Sequence, residues 1–336
     1  MIELLKKLCS LDGTSGDEYS IRDFIISQID GHCEWKTDNL GNIIAFKKGK
    51  KASAKKLMVD AHMDEVGLII TNVTADGFLK FTTVGGIDTA ALMFRRVKIN
   101  NDIYGVISGK PVHLIGKEER KKLPDSESLY IDIGASTKEE ALKLVSLGDR
   151  AVICGDFFVA QDKIISKALD DRIGCAVLID LIKNESEYDF YASFSVQEEI
   201  GLRGAKTAAF GINPQFAIVL EATTAADIAE VSEEKSVCEL GKGVAVSFMD
   251  GATAYDRKLY KAALASGIKS QPKRAVAGGN NSGAVHLSRE GVRTIALSLP
   301  CRYIHSSSSV ADTNDMENLL YLAKYMINYI CSGEAE

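Results

Sequence analysis

The stretch that decides the fold is LMVDAHMDE, which runs from Leu57 to Glu65. Its apolar first half has the composition of a buried strand, and His62 and Asp64 come where that strand would end. In an open α/β sheet the functional crevice lies outside the carboxyl ends of the strands, so polar residues at this position face the crevice. The stretch therefore predicts an α/β sheet with a functional site along one edge.

Three more apolar runs have the same relation to polar residues. The predicted strands and the residues that follow them are 192–196 with Glu198 and Glu199, 216–220 with Glu221, and 294–299 with His305. Asp170 stands just before a predicted helix at 171–183. Because the carboxyl ends of neighbouring parallel strands meet at one edge, we expect these side chains to converge although they are far apart in sequence.

The converging residues match the ligand set of a two-metal hydrolase site: His62, Asp170, Glu199, Glu221 and His305. Imidazole and carboxylate in this mixture suit zinc, cobalt or manganese better than calcium or copper. Asp64 lies two residues after His62 and can orient its imidazole, as the outer partners of metal-bound histidines do. We therefore expect an enzyme that holds two divalent metal ions.

Each of these residues also has a simpler interpretation when taken alone. Asp170 and Glu199 could be acids at helix starts, where they cap backbone N–H groups, and His62 could be an ordinary buried histidine. A glycoside hydrolase also uses paired carboxylates, but it has no need for two histidines at strand ends. The joint occurrence of five such residues favours the metal site.

The composition is that of an ordinary globular protein. With 336 residues, 46% of them hydrophobic and 26% charged, the chain can bury a substantial core in more than one domain. A net charge of -6 without a basic stripe argues against a nucleic-acid partner. The seven cysteines show no C-x-x-C pairing and no stretch has the length of a membrane span, so we expect a cytoplasmic protein off the membrane.

The pattern of predicted secondary structure changes twice along the chain. Residues 1–66 and 163–336 alternate helical patterns with buried strands, whereas 67–162 contains short apolar runs separated by Gly, Asn and Asp turns. We predict a discontinuous catalytic α/β domain interrupted by a β insert, in which only 137–146 looks helical. In the first part, Ser15 and Glu18 form the pattern of a capping box ahead of a helix at 19–29.

Four segments also carry a family resemblance, in the order AHMDEVG at 61–67, KALDDR at 167–172, QEEIGLRGA at 197–205 and PCRYIHS at 300–306. They resemble the signatures of the M42 metallo-aminopeptidases, which include glutamyl aminopeptidases and TET peptidases. The resemblance covers essentially the whole chain. It implies a phosphorylase/hydrolase-like mixed-sheet peptidase domain with an inserted small β-barrel domain that acts as lid and in oligomerisation, and a homo-oligomer between a dimer and a dodecamer.

The resemblance further implies a role for each site residue. Asp170 would bridge the two metals, His62 and Glu221 would complete one site, and Glu199 and His305 the other. Glu198 would be the catalytic acid/base, with Asp64 beside it in the catalytic set. The substrates would be peptides that lose their N-terminal residues.

The sequence departs from the family pattern at three places. Glu221 stands where an Asp is usual, Asn280 and Asn281 replace a Thr-Asp pair, and residues 250–253 replace a Gly-Pro segment. The second change removes a charge that we expect near the substrate cleft. Two other functions remain open at this point, namely a different dinuclear-metal amidohydrolase of the deacylase or desuccinylase type, and a non-catalytic metal-binding assembly protein.

Overall fold

A computed structural model describes residues 1–100, 102–116, 123–276 and 278–336. Within these residues, eleven strands form one mixed sheet and six strands form a closed barrel. The barrel encloses one hydrophobic core, and separate cores pack against the two faces of the large sheet. The expected combination of a mixed-sheet α/β fold with a small β-barrel is confirmed.

The large sheet has nine strands along its main path, in the spatial order β1 (Glu34–Thr37), β2 (Ile43–Lys47), β12 (Phe190–Ser195), β3 (Leu57–His62), β13 (Phe216–Thr224), β16 (Arg293–Arg302), β17 (Ser309–Asp312), β11 (Lys163–Ser166) and β10 (Phe158–Ala160). Off this path, β14 (Val244–Val246) pairs antiparallel with β16 and parallel with β15 (Ser270–Pro272).

The centre of the large sheet is parallel. Strand β12 pairs parallel with β3, β3 with β13, and β13 with β16. Strand β3 is buried along its whole length, as are β13 up to Thr223 and β16 between its two terminal arginines. Such strands are covered on both faces, which explains why they appear in the sequence as continuous apolar runs. Their carboxyl ends all lie at one edge of the sheet.

The helices are α1 (Ile2–Ser10), α2 (Tyr19–Ile29), α3 (Lys138–Ala141), α4 (Leu169–Lys183), α5 (Arg203–Ile212), α6 (Arg257–Leu264), α7 (Ser282–Val285) and α8 (Thr313–Cys331). Helix α4 is buried over most of its length and packs against β13 and β3. Ile173 and Val177 of this helix share one core with Val59 and Ile218 of the sheet. The start of α4 therefore lies at the sheet edge where the strands end. None of the helices in the described part of the chain combines the length and apolar character needed to cross a bilayer.

The barrel follows β3 directly and contains β4 (Gly67–Val73), β5 (Leu79–Val84), β6 (Arg96–Ile99), β7 (Ile103–Ser108), β8 (Tyr130–Asp132) and β9 (Arg150–Ile153). Neighbouring strands are antiparallel, and β9 closes the barrel between β6 and β4. Within the range 67–162, β10 pairs with β11 and so belongs to the large sheet. The barrel strands thus end at Ile153.

Two local expectations differ from the structure. Helix α3 covers only 138–141, although Thr137 caps it by accepting a hydrogen bond from the Glu140 N–H at 3.2 Å. The capping box ahead of α2 does not form, because the Ser15 hydroxyl and the Glu18 carboxylate bind other partners and Glu18 caps the helix without a side-chain bond. Ser15 binds a distant partner, whereas Glu18 accepts one local hydrogen bond, from the Gly16 N–H at 2.7 Å, and one long-range bond, from the Gln197 N–H at 3.2 Å.

Candidate metal centre

His62 is the last residue of β3, and its imidazole ring is oriented from both sides. Its Nε2 atom lies 3.3 Å from Oδ1 of Asp170 and 3.7 Å from Oε2 of Glu221. Its Nδ1 atom lies 3.2 Å from the carbonyl oxygen and 3.4 Å from Oδ1 of Asp64. Asp64 therefore holds the ring so that Nε2 faces the carboxylates, which is the arrangement of a metal-binding histidine and its outer partner.

Asp170 lies between the two histidines of the site. Its Oδ1 faces His62, and its Oδ2 lies 3.3 Å from Nε2 of His305. The same Nε2 is 3.1 Å from Oε1 of Glu199. The five expected ligands thus form two groups that share Asp170, one with His62 and Glu221 and the other with Glu199 and His305.

The backbone around Asp170 is held by a buried ionic network. Lys167 donates to both carboxylate oxygens of Glu65, at 2.6 and 2.7 Å, and Arg172 lies 3.3 Å from the same carboxylate. Arg172 also donates to the carbonyl oxygen of Leu8 at 2.6 Å. Because Glu65 follows β3 and the two cations flank Asp170, this network ties the start of α4 to the end of the central strand.

Asp171 is a candidate ligand that the sequence analysis did not include. It is fully buried, and ligand atoms of His62, Asp171 and Glu221 lie within 4.8 Å of one another, as do those of His62, Asp170 and Glu199. However, its Oδ1 accepts a hydrogen bond from the Gly174 N–H at 2.9 Å, as an acid at a helix start does. Asp170, with one oxygen towards each histidine, has the better geometry for a shared ligand.

The barrel contributes to the site through the loop after β5. The carbonyl oxygen of Gly86 lies 2.7 Å from Nδ1 of His305, which leaves Nε2 directed at the carboxylates. Gly85 has φ +84°, and a Cβ there would come within 2.8 Å of Val66 and 3.2 Å of Glu199. Only glycine fits this close approach without strain. No signal in the sequence linked residue 86 to His305.

The two glutamates are oriented by Asp64. Its carboxylate accepts hydrogen bonds from the backbone N–H groups of Glu198 at 3.0 Å and Glu199 at 3.2 Å. Ser15 donates to the same carboxylate. Asp64 therefore fixes one histidine and the segment that carries both glutamates.

The buried acidic groups of the site favour the binding of positive ions. Burial raises the pKa of Glu198 to about 8 and the pKa of Glu221 well above its usual range. For His305, burial lowers the pKa, but hydrogen bonds with Asp170 and Glu199 raise it to about 11. Glu221 Oε1 is buried and accepts no hydrogen bond from the described residues. Divalent cations would satisfy such oxygens, so the donor set fits a metal centre.

The centre opens into a cavity of about 480 Å³. Six of its lining residues carry the chemistry already described: His62, Asp170, Glu198, Glu199, Glu221 and His305. The other lining residues come from the end of β13, from the loops before β14 and after β15, and from the Gly-rich turn at 278–283, and include Thr223, Thr224, Val237, Lys273, Ala275, Gly278, Gly279 and Asn280. A cavity of this size accommodates a small substrate.

The Gly-rich turn differs from expectation. Asn280 lines the cavity, but Asn281 is fully buried and its amide donates to Oδ2 of Asp60 and to Oγ of Ser195, both at 2.8 Å. The sequence has an amide at this position where the family pattern has an acid. The charge of that acid would therefore lie beside a buried carboxylate and not at the cleft surface. Residues 250–253 brace the turn, since the Gly251 N–H donates to the Gly278 carbonyl at 2.8 Å.

The parallel strands, the strand-end histidines and the shared carboxylate define a candidate metallohydrolase. A sequence model of the M42 glutamyl aminopeptidase family matches residues 41–322. The chain belongs to the M42 family of peptidases.

Individual relatives match over nearly their whole length. The lysyl aminopeptidase of Pyrococcus furiosus is 35% identical over 347 residues, covering 97% of this chain and 96% of the relative. The solved structure of the Desulfurococcus kamchatkensis aminopeptidase APDkam598 has a TM-score of 0.92 at 35% identity, covering 97% and 94% of the two chains. The Pyrococcus horikoshii TET1 peptidase, which assembles into a tetrahedron or a large octahedral shell, has a TM-score of 0.85 at 36% identity, covering 97% and 98%.

Proposed function

We propose that this protein is a co-catalytic dinuclear-metal aminopeptidase that removes N-terminal residues from peptides. The observation that carries the proposal is the position of Asp170, whose two oxygens face His62 and His305 at 3.3 Å each. A carboxylate with one oxygen towards each of two imidazoles can serve as a ligand shared by a pair of metal ions. Membership of a peptidase family supports hydrolysis of peptide bonds.

In this proposal His62 and Glu221 would hold one ion, Glu199 and His305 would hold the other, and Asp170 would be a ligand of both. Imidazole with carboxylate favours zinc, cobalt or manganese. Glu221 fits its role although an Asp is usual there, because its Oε2 is 3.7 Å from Nε2 of His62. When bound, the ions supply the Lewis acidity that activates water and polarises the scissile carbonyl.

Glu198 is the proposed acid/base. It lines the cavity beside the ligands, and its backbone is fixed by Asp64 at 3.0 Å. A carboxylate with a pKa near neutrality can accept the proton of the attacking water and return it to the leaving amine. Asp64 acts through its contacts with His62, Glu198 and Glu199 and is a positioning residue.

The proposal extends to domain organisation and assembly. We assign 1–66 and 163–336 to the catalytic domain and 67–162 to the insert, whose barrel ends at Ile153. The contact between Gly86 and His305 supports a lid role. The assembly of the Pyrococcus horikoshii relative supports a homo-oligomer. Deleting the barrel with a short linker should change the mass measured by light scattering.

The seven cysteines are unpaired, which supports a reducing, cytoplasmic location for this peptidase. Names of relatives give no support to the deacylase alternative or to a non-catalytic assembly protein.

The function is tested with aminoacyl-p-nitroanilides and peptides after metal removal. Chelation should abolish hydrolysis, and zinc, cobalt or manganese should restore it. A peptide followed by mass spectrometry should lose residues one at a time from its N-terminus, whereas its N-acetylated form should be a poor substrate. Internal cuts, or equal hydrolysis of the acetylated form, would contradict an aminopeptidase.

A further inference from the structure

We propose that Ser306 and Ser309 are positioning residues, which hold the backbone around His305 so that its imidazole faces the other proposed ligands. This inference rests on the proposed dinuclear site and adds two residues that act on it through His305. It starts from the segment that connects β16 to β17, residues 303–308, which we call the His305 loop. His305 therefore lies outside the regular structure of the sheet.

The His305 loop has an unfavourable backbone conformation at two residues. Tyr303 has φ +57° and His305 has φ +60°, and neither is a glycine. Residues with a Cβ atom avoid this left-handed region, so contacts around the loop must stabilise it. The conformation directs Nε2 of His305 to within 3.3 Å of Asp170 and 3.1 Å of Glu199. The loop is thus strained in the form that brings the imidazole to the carboxylates.

Two serine hydroxyls converge on the carbonyl oxygen of Tyr303. Ser306 donates to it at 2.6 Å and Ser309 at 3.0 Å. Ser309 is the first residue of β17, is 1% exposed and pairs with Ser166 of β11. Its hydroxyl therefore reaches the loop from a fixed strand. Because the direction of the carbonyl determines ψ of Tyr303, the two hydrogen bonds favour the left-handed turn.

Two other contacts fix the ends of this turn. Arg302 holds its start, since the guanidinium donates to Asp227 at 2.7 and 2.8 Å. Gly86 orients the imidazole of His305, with its carbonyl oxygen 2.7 Å from Nδ1. Tyr303 is 54% exposed, so packing of its ring contributes little. The serine hydroxyls act on the backbone between these fixed points.

Two of the proposed ligands are independent of the His305 loop. His62 is the last residue of β3 and Glu221 lies inside β13, so the parallel centre of the sheet holds both. Loss of a serine hydroxyl should therefore weaken the ion that His305 and Glu199 would hold. It should spare the ion that His62 and Glu221 would hold.

Titration of the metal-free protein with Co²⁺, followed by calorimetry and by the visible absorption of bound cobalt, tests the inference without catalysis. We expect two binding events in the native protein. Ser309→Ala should raise the Kd of one event roughly 5-fold to 10-fold, which is the effect of one lost hydrogen bond, and leave the other unchanged. Ser309→Thr keeps the hydroxyl and should bind as the native protein does. Ser306→Ala, which removes the more exposed hydroxyl, should raise the same Kd.

Ser307→Ala is the matched control. It makes the same change at a buried serine of the same loop, whose hydroxyl pairs with that of Ser308 at 3.4 Å and not with Tyr303. Both Kd values should stay unchanged. Glu199→Gln assigns the affected event, because it removes a ligand of the ion concerned. Adding Ser309→Ala to it should not alter the Kd that remains.

The contribution of strain is tested at Tyr303. Asparagine adopts the left-handed region more readily than other residues with a side chain, so Ser309→Ala should lose most of its effect in a Tyr303→Asn background. An undiminished effect would overturn the inference. An equal loss of affinity at both events, with a lower free energy of unfolding, would also overturn it, because that is the result of a merely structural role. If Co²⁺ binding changes as expected but no peptide or anilide is hydrolysed, the proposed aminopeptidase function fails and the positioning role stands.

Discussion

The hydroxyl of Ser15 donates a hydrogen bond to Oδ2 of Asp64 at 2.6 Å, and both side chains are buried. Asp64 also accepts from the backbone of Glu198 and Glu199 and lies beside His62. A loop near the N-terminus therefore supports the residue that orients a candidate ligand and both glutamates. Hydrogen bonds to a buried carboxylate are among the stronger ones in proteins.

Ser15→Ala should lower kcat about 10-fold with little change in KM, since loss of one charge-assisted hydrogen bond costs roughly 1.5 kcal/mol or more. Steady-state kinetics with saturating metal measure this. In an Asp64→Asn background the same substitution should add little, because its partner has lost its charge. Equal effects in the two backgrounds would show that Ser15 acts independently of Asp64.

Glu198→Gln should retain the fold and the metal but lose roughly 10²-fold to 10⁴-fold in kcat, because an amide has the shape of the carboxylate and cannot accept the proton. Elemental analysis beside the kinetics separates binding from catalysis. Glu199→Gln is the matched variant and should lose metal. The opposite result would reverse the assignment of the two glutamates.

Asn281→Asp should lower the free energy of unfolding at pH 8 by roughly 3–5 kcal/mol, because it places a second buried carboxylate against Asp60. In the native protein the Asn281 amide donates to Asp60 at 2.8 Å. Denaturant unfolding gives the difference. The exchanged pair, Asp60→Asn with Asn281→Asp, restores one acid and one amide and should recover most of the loss. A stable single variant would refute the charge argument.

Glu18 should make stability depend on pH. Burial raises the pKa of Glu18 from 4.5 to about 7. The folded protein then holds this proton in a range where the unfolded chain releases it, so the free energy of unfolding falls as the pH rises from about 4.5 to about 7. Glu18→Gln has no carboxyl group to titrate and therefore lacks this decrease. From about pH 4.5 to about pH 7, the free energy of unfolding of Glu18→Gln relative to that of the native protein should rise by roughly 2–3 kcal/mol, because one pKa unit corresponds to about 1.4 kcal/mol.

Denaturant unfolding at pH 5 and pH 8 checks the Glu18 prediction. Asp17→Asn is the control, because Asp17 is the exposed neighbour of Glu18 in the same turn. A difference between Glu18→Gln and the native protein that stays constant with pH would contradict the expected titration.

Much of the fold could be predicted because the central strands are covered on both faces. Burial on both faces requires uninterrupted apolar runs, such as 216–220, and these are visible without knowledge of their neighbours. The polar residues after the runs at 57–59 and 294–299 then indicated the edge at which His62 and His305 meet. Glu221 differs slightly, since it lies inside β13 and not after it.

The partners of individual side chains were decided by tertiary structure. Ser15 and Glu18 have the local spacing of a capping box, but Ser15 donates to the buried Asp64 carboxylate, and Glu18 accepts from the backbone N–H groups of Gly16 and of the distant Gln197. Likewise, the contact between Gly86 and His305 joins residues that are 219 positions apart. A local sequence pattern cannot predict a hydrogen-bond partner that only tertiary packing places nearby.

The sequence by itself therefore determined the order of most strands and helices, the presence of a β insert and the residue types at the sheet edge, because these follow from short-range periodicity and burial. Only the tertiary structure decided what each buried charge faces. Asn281 was expected at the cleft, but it lies against Asp60. Lys273 was not predicted from the sequence to be near the site, but it lines the cavity. The physical reason is that the energy of a buried charge depends on its three-dimensional surroundings, which adjacent residues do not specify.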